Sequence, residues 1–462
     1  MRHRNHLATL TLRNGGQEHA FSLGIRLKRF ITLAGDHRHR SAFRQFTVQL
    51  DAAADDLSRC DDHIRILAGV PDDVSFRYSL SVPARLRPYL WPLVVILFAI
   101  LAFALLKHKR AELVDFAVPR TAAERALHAE PLYRPDDGHY QYKYLPAFAL
   151  VMAPFTVPDK QTAEMIWFAL TVAMTWAFVR MSFRALPDRR IAESTLIWLT
   201  LLANGKFLVK ELAFGNFNLP LALLLVCAVV AVQRERGLLA GVLVGLGVFV
   251  KPYALVLVPW LLVTVGVAPI AACAAVIAAG LLLPVPVYGW SGNVTLLHEW
   301  YRTVTETTAP NQATFENISF NSMWARWLAP GAAVSALAAA SAVIAVAVGL
   351  WLTRRRDEIR APEYLEASFF FVLIPLLSPQ GWDYVLLLAL PAYMLLIDRF
   401  GDLERGWRMA MAAGVVLTSF AIYDVFRRDL YFHVMQLGGG RDRKSTRLNS
   451  SHVSESRMPS SA

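Results

Sequence analysis

Six short polar groups interrupt an otherwise apolar chain, and each carries residue types that could do chemistry. Asp115, in Leu113-Val114-Asp115-Phe116, follows an apolar run. A carboxylate there could act as a general base, a role worth about 10²–10⁴-fold in rate. It could equally be a solvated acid balancing Lys107, Lys109 and Arg110. His139-Tyr140-Gln141-Tyr142-Lys143-Tyr144-Leu145-Pro146 reads either as an interfacial anchor or as a polar lip gripping a sugar or phosphate through Lys143 and Tyr144. Asn216 and Asn218, in Gly215-Asn216-Phe217-Asn218, are helix caps or partners for a polar ligand.

Lys251-Pro252 lies between two apolar runs. Proline breaks the helix, and the lysine must snorkel, find a partner or meet an anionic ligand such as phosphate. Asn317-Ile318-Ser319-Phe320-Asn321 is followed by Trp324 and Arg326, and an arginine there could pair with phosphate. Ser378-Pro379-Gln380-Gly381-Trp382-Asp383-Tyr384 is a polar break that is either an extramembrane turn or the lining of a cavity. The sequence contains no Walker loop, dinucleotide fingerprint, His-Glu-x-x-His pair or nucleophile elbow.

The elements that position these groups must be membrane helices. Of 462 residues, 55% are apolar and 18% charged, against roughly 45–50% and about 25% in soluble proteins. That excludes a soluble enzyme with one compact core. The net charge of +11 sits mostly at the ends, with +5 in residues 1–87 and +3 in 438–462. Elsewhere the basic residues cluster in short loops, as the positive-inside rule requires, and no nucleic-acid partner is needed. Cys60, Cys227 and Cys273 form neither a disulfide framework nor a metal-ligand pattern.

Apolar segments fall at 88–106, 163–183, 191–209, 213–232, 237–250, 252–267, 269–288, 331–353, 363–379, 382–398 and 408–426, predicting about ten to twelve spans. Residues 145–157 are apolar but short and read as a re-entrant or interfacial segment or a short helix packed against protein. If they do not fully cross, the following loop orientation holds. Residues 108–143 and 289–330 are expected to be polar loops. With 184–190, 233–236, 354–362 and 398–408 cytoplasmic, both loops face outward and could build one site. The first membrane helix must itself target the chain, because residues 1–20 lack an apolar stretch. Residues 1–84 have no clear period and are expected to be a disordered or non-native extension. The polar tail 438–462 resembles a translated sequencing-adapter string and is excluded from function.

In order along the chain come Asp115-Phe116, Ala-Glu-Pro-Leu-Tyr at 129–133, Tyr-Lys-Tyr-Leu-Pro-Ala-Phe-Ala-Leu at 142–150, Gly-Asn-Phe-Asn at 215–218, Lys251-Pro252 and Ser-Pro-Gln-Gly-Trp at 378–382. This order resembles glycosyltransferase family 87, of the GT-C class and related to polyprenol-phosphate-mannose-dependent mannosyltransferases. The resemblance spans roughly 88–430.

It implies an all-α polytopic GT-C bundle over 85–437 with extracytoplasmic loops, in a bacterial inner membrane. The enzyme would transfer a sugar, mannose foremost, from a polyprenyl-phosphate donor to a glycan or glycolipid, with inversion. Asp115 would be the catalytic base. Lys143, Tyr144, Asn216, Asn218, Lys251, Arg326, Trp382 and Asp383 would bind substrate, with Lys143, Lys251 and Arg326 supplying positive charge. No cofactor and no bound metal are implied. The chain departs from the family in having Asn216 where glutamine is frequent, and Asp383 and Tyr384 where histidine is frequent. The rival readings are a transporter or lipid-linked sugar flippase, and a non-catalytic envelope protein that would tolerate loss of Asp115.

Overall fold

The computed structural model describes residues 10–14, 17–21, 26–27, 48–49, 113–308, 317–328, 331–359 and 362–419. Two units separate, residues 1–84 with 190–192, and the remainder. Four short strands are described within residues 1–84. β1 (Leu10–Asn14) pairs antiparallel with β2 (Gln17–Phe21) in the register Leu10 to Phe21. β3 (Arg26–Leu27) pairs with β4 (Val48–Gln49). The expected span at 88–106 and the tail at 438–462 lie outside the described residues.

The larger unit is helical. Residues 108–143, expected as a polar loop, contain α1 (Val114–Leu127). Asp115 lies in its first turn, where a negative charge suits the helix dipole. Next come α2 (Pro146–Val151) and a 3-10 turn, Ala153–Thr156. Six helical residues rise only about 9 Å, well short of a bilayer's hydrocarbon core of about 30 Å.

Then follow α3 (Lys160–Ala185), α4 (Glu193–Phe214), α5 (Asn218–Gln233) and α6 (Gly237–Val250). The Asp159 carboxylate caps α3 by accepting from the Thr162 amide at 3.1 Å. Pro252 ends α6. Lys251 before it is extended (φ −151°), and a 3-10 turn, Pro252–Leu257, leads into α7 (Val258–Thr264).

α8 (Val267–Leu282) and α9 (Val285–Thr308) follow, and the bent pair turns through 95°. The start of the expected loop 289–330 is thus helical up to Thr308, because 285–308 keeps a helical pattern after the bend. α10 (Phe320–Trp327), α11 (Ala332–Thr353), α12 (Pro362–Leu377), α13 (Leu390–Asp398) and α14 (Arg405–Ser419) complete the described helices.

The apolar segments do become helices, but few are full spans. Among the described residues, α3 and α11 alone are long and apolar enough to cross a membrane, or three spans if the bent α8–α9 pair counts as one. Asn218–Gln233, Gly237–Val250 and Pro252–Thr264 are apolar but shorter. Proline and glycine at their ends cut continuous apolar sequence into pieces.

The core packs α5 between α3 and α6, and α8 against α6. Gly237, Gly241 and Gly245 line the α6 face toward α8, where a Cβ on Gly241 would lie 2.0 Å from the Pro269 carbonyl oxygen. This small-xxx-small seam lets two backbones approach closely.

Candidate active site

Asp115 is fixed by its neighbour. The Phe116 ring is fully buried and stacks on Trp167 at 5.4 Å, and Trp167 lies 4.4 Å from Phe217. The Trp167 indole N–H donates to the Gly215 carbonyl at 3.0 Å. Gly215 takes φ +68°, and a Cβ there would lie 2.8 Å from the Leu113 Cβ. Glycine is required on both counts. The start of α1, which carries Asp115, and the α4–α5 turn, which carries Asn216 and Asn218, are therefore held together.

The segments around 130–144 and 288–300 touch one another. The Tyr288 hydroxyl donates to the Glu130 carbonyl at 2.9 Å, and the Trp300 indole donates to the Lys143 carbonyl at 3.1 Å. Leu132, Tyr133, Tyr142 and Leu296 pack in one buried cluster, with Tyr144 and Trp300 against it. The Tyr133 hydroxyl donates to the Tyr144 carbonyl at 2.7 Å. Arg125 grips both oxygens of Asp137 at 2.5 and 2.8 Å. The lip is thereby braced, and Tyr144 stacks on Phe148 at 4.7 Å.

Charge gathers around Asp115. Lys143 and Lys251 both feel its carboxylate, as do the phenols of Tyr144 and Tyr384. Burial makes the Lys143 ammonium easier to deprotonate than a free lysine, and Asp115 opposes that. Burial, then Asp115 and Glu211, push the Tyr144 phenol well above the ordinary tyrosine range.

Glu211 is a further acid beneath this group, fully buried on α4. Its carboxylate accepts from the Asn218 side-chain amide at 2.7 Å and from the Leu219 amide at 2.9 Å. It also interacts with the charge of Lys251. Asn218 is thus a partner for Glu211, where cap or ligand contact was expected. Asn216 is buried, and its side-chain nitrogen has no hydrogen-bond partner among the described residues.

The break after α12 forms the other wall. The fully buried Asn317 donates to the Pro379 carbonyl at 3.0 Å and accepts from the Ser319 and Gly381 amides at 3.0 and 3.1 Å. Its backbone forms an antiparallel bridge with Trp382. Arg326 donates to the Asn317 carbonyl at 2.7 Å. Arg326 and Trp382 therefore belong to this turn.

Asp383 begins a 3-10 turn, Asp383–Ala389, packed on α4. Both its oxygens are held by Lys210, at 2.8 and 2.9 Å, and one lies 3.4 Å from Lys206. The Tyr384 phenol beside it is electrostatically coupled to Asp115, Tyr144, Glu211 and Asp383, which links the two walls.

The structure thus brings Asp115, Lys143, Tyr144, Asn216, Asn218 and Lys251 together, and sets Trp382, Asp383 and Arg326 on the neighbouring turn. Lys206, Lys210, Glu211, Asn317 and Tyr384 are the residues absent from the sequence-based set. The first three had a readable signal: charged residues in or at the edge of an apolar segment, with Lys206 and Lys210 four apart on one helix face. Among the described residues, no group of three or more His, Cys, Asp or Glu side chains is gathered to hold a metal ion. What the site offers is a carboxylate for taking a proton and lysine ammonium groups for an anion.

Comparison with curated proteins and with solved structures gives no match. The family model for glycosyltransferase family 87 matches residues 142–379, just over half of the chain. That stretch begins at Tyr142, includes Lys143, Tyr144, Asn216, Asn218, Lys251 and Arg326, and stops at Pro379; Asp115 precedes it. The chain is a membrane-associated glycosyltransferase and belongs to glycosyltransferase family 87.

Proposed function

We propose that the enzyme transfers a hexose, mannose foremost, from a polyprenyl-phosphate donor to a hydroxyl of a glycan or glycolipid. The reaction would take place on the extracytoplasmic face of a bacterial inner membrane. The observation that carries this reading is Asp115 in the electrostatic company of Lys143 and Lys251. Asp115 removes the proton from the acceptor hydroxyl as its oxygen attacks the anomeric carbon. The bond from that carbon to the phosphate oxygen breaks, and the electron pair leaves with the lipid phosphate. The anomeric centre inverts. Negative charge grows on the phosphate in the transition state, where Lys143 and Lys251 stabilise it most. Asn216, with its unpartnered amide, is a donor suited to a sugar hydroxyl. No cofactor takes part in this scheme.

The test is transfer from radiolabelled polyprenyl-phosphate mannose, by purified protein in nanodiscs, to a lipid and glycan extract. Asp115→Asn lowers the rate by about 10²–10⁴-fold if it is the base. It leaves elution volume and thermal stability close to wild type. Full activity in that variant would exclude Asp115 as base. Failure of the wild type with a panel of polyprenyl-phosphate sugars would exclude the donor class.

A further inference from the structure

Asp383 and Lys210 form a contact that the scheme above does not use. One ammonium group holds both carboxylate oxygens, and Lys206, one turn back on α4, faces the same carboxylate. The Asp383 side chain is 14% exposed, whereas that of Lys210 is 31% exposed. The cation can therefore be reached from outside the pair. The pair lies at the working site, because Tyr384 is coupled to Asp383 on one side and to Asp115, Tyr144 and Glu211 on the other.

A carboxylate and a phosphodiester both present a pair of oxygens sharing one negative charge, and lysine binds either as a point charge. Replacing one by the other at Lys210 leaves the local charge unchanged.

Resting on the lipid-phosphate donor proposed above, we propose that Asp383 is an internal stand-in for the donor's phosphate. It holds Lys210 and Lys206 in place until the phosphate of the incoming polyprenyl-phosphate donor displaces it. Lys210 is then a donor-binding residue, and Asp383 is a competitor that sets how tightly any lipid phosphate is held. This also serves product release. Once the sugar has left, the returning carboxylate helps expel the polyprenyl phosphate.

The two partners of a merely structural salt bridge should behave alike when mutated. A displaceable stand-in gives opposite signs. Equilibrium binding of radiolabelled polyprenyl phosphate to the full-length protein in nanodiscs separates these cases, with unphosphorylated polyprenol and inorganic phosphate as probes of tail and head alone. Lys210→Gln should weaken polyprenyl phosphate binding by about tenfold or more, the scale of one charged hydrogen bond. Asp383→Asn should tighten it several-fold, because the neutral amide competes poorly for lysine. Lys210→Arg, which keeps the cation, should stay much closer to wild type than Lys210→Gln. Polyprenol binding should not change in any variant, and inorganic phosphate should follow the signs of the phosphorylated lipid.

Parallel weakening in Lys210→Gln and Asp383→Asn, or no change in either, would overturn the stand-in while leaving the donor class intact. A wild type that binds polyprenyl phosphate no better than polyprenol would overturn the donor class itself, and the stand-in with it.

Discussion

Substituting Gly241 by alanine perturbs a tight backbone contact between α6 and α8. The added Cβ would lie 2.0 Å from the Pro269 carbonyl oxygen, 2.7 Å from its carbon and 2.8 Å from the Pro269 Cα. All three atoms are backbone, so no side chain can swing aside. Reaching an ordinary contact of about 3.2 Å needs α6 and α8 to part by roughly 1 Å, and a gap of that size forfeits about a quarter to a half of the dispersion well for each facing pair. Overpacking of this kind costs about 1–3 kcal/mol, and a backbone obstacle belongs at the top of that range. Better helix propensity returns up to about 1 kcal/mol, so the net loss is about 2 kcal/mol.

Gly205→Ala is the control. Gly205 lies inside α4 with nothing within 4 Å of its would-be Cβ, so it should gain up to about 1 kcal/mol from the same propensity term. The two variants should therefore differ by about 3 kcal/mol in unfolding followed by tryptophan fluorescence in one detergent. Because α6 ends at Lys251, Gly241→Ala should also lower transferase activity. Equal stability for Gly241→Ala and Gly205→Ala would refute the close packing of α6 on α8.

Asn317→Ala removes three hydrogen bonds to buried backbone and should destabilise the 378–384 turn by about 3 kcal/mol; faster hydrogen exchange there, with lowered activity, is the measurement. Glu211→Gln turns one of its two accepting oxygens into a donor facing another donor. It should cost about 1–3 kcal/mol in detergent unfolding, and an unchanged transition would count against that network. Tyr133 and Tyr142 need their protons to donate to the Tyr144 and Leu145 carbonyls, and burial raises both phenols well above the usual value of about 10. A raised pKa contributes stability that is fully present below the unfolded value and is lost as pH rises through the folded one. Stability should therefore fall above about pH 10, and Tyr133→Phe should flatten that fall in unfolding measured against pH.

The class of the protein was legible in the sequence because composition and helix-breaking residues act locally. Long apolar runs require helices, and Pro252 and Pro379 end them wherever they occur. The shortness of residues 145–157 marks them apart from the longer apolar segments. The motifs at 142–150, 215–218 and 251–252 stand in recognisable order, and the family match covers them. The helix boundaries were less legible, because apolar composition does not say where one helix stops and the next begins. The helix over 285–308 was hidden for a related reason: polar residues on its outer face read as loop until the 95° bend lays it against the lip.

Which charge meets which was decided only by the tertiary structure. Lys210 and Asp383 are 173 residues apart, and Asn317 and Gly381 are 64 apart. Local sequence carries no record of such pairings. Asp383 is sequestered by Lys210, and Asn218 is directed onto Glu211, because a charge or amide leaving water must take the best partner the packing supplies. The residue types able to do the chemistry are a property of the chain. Their roles as base, anion holder or brace depend on what the fold sets beside them.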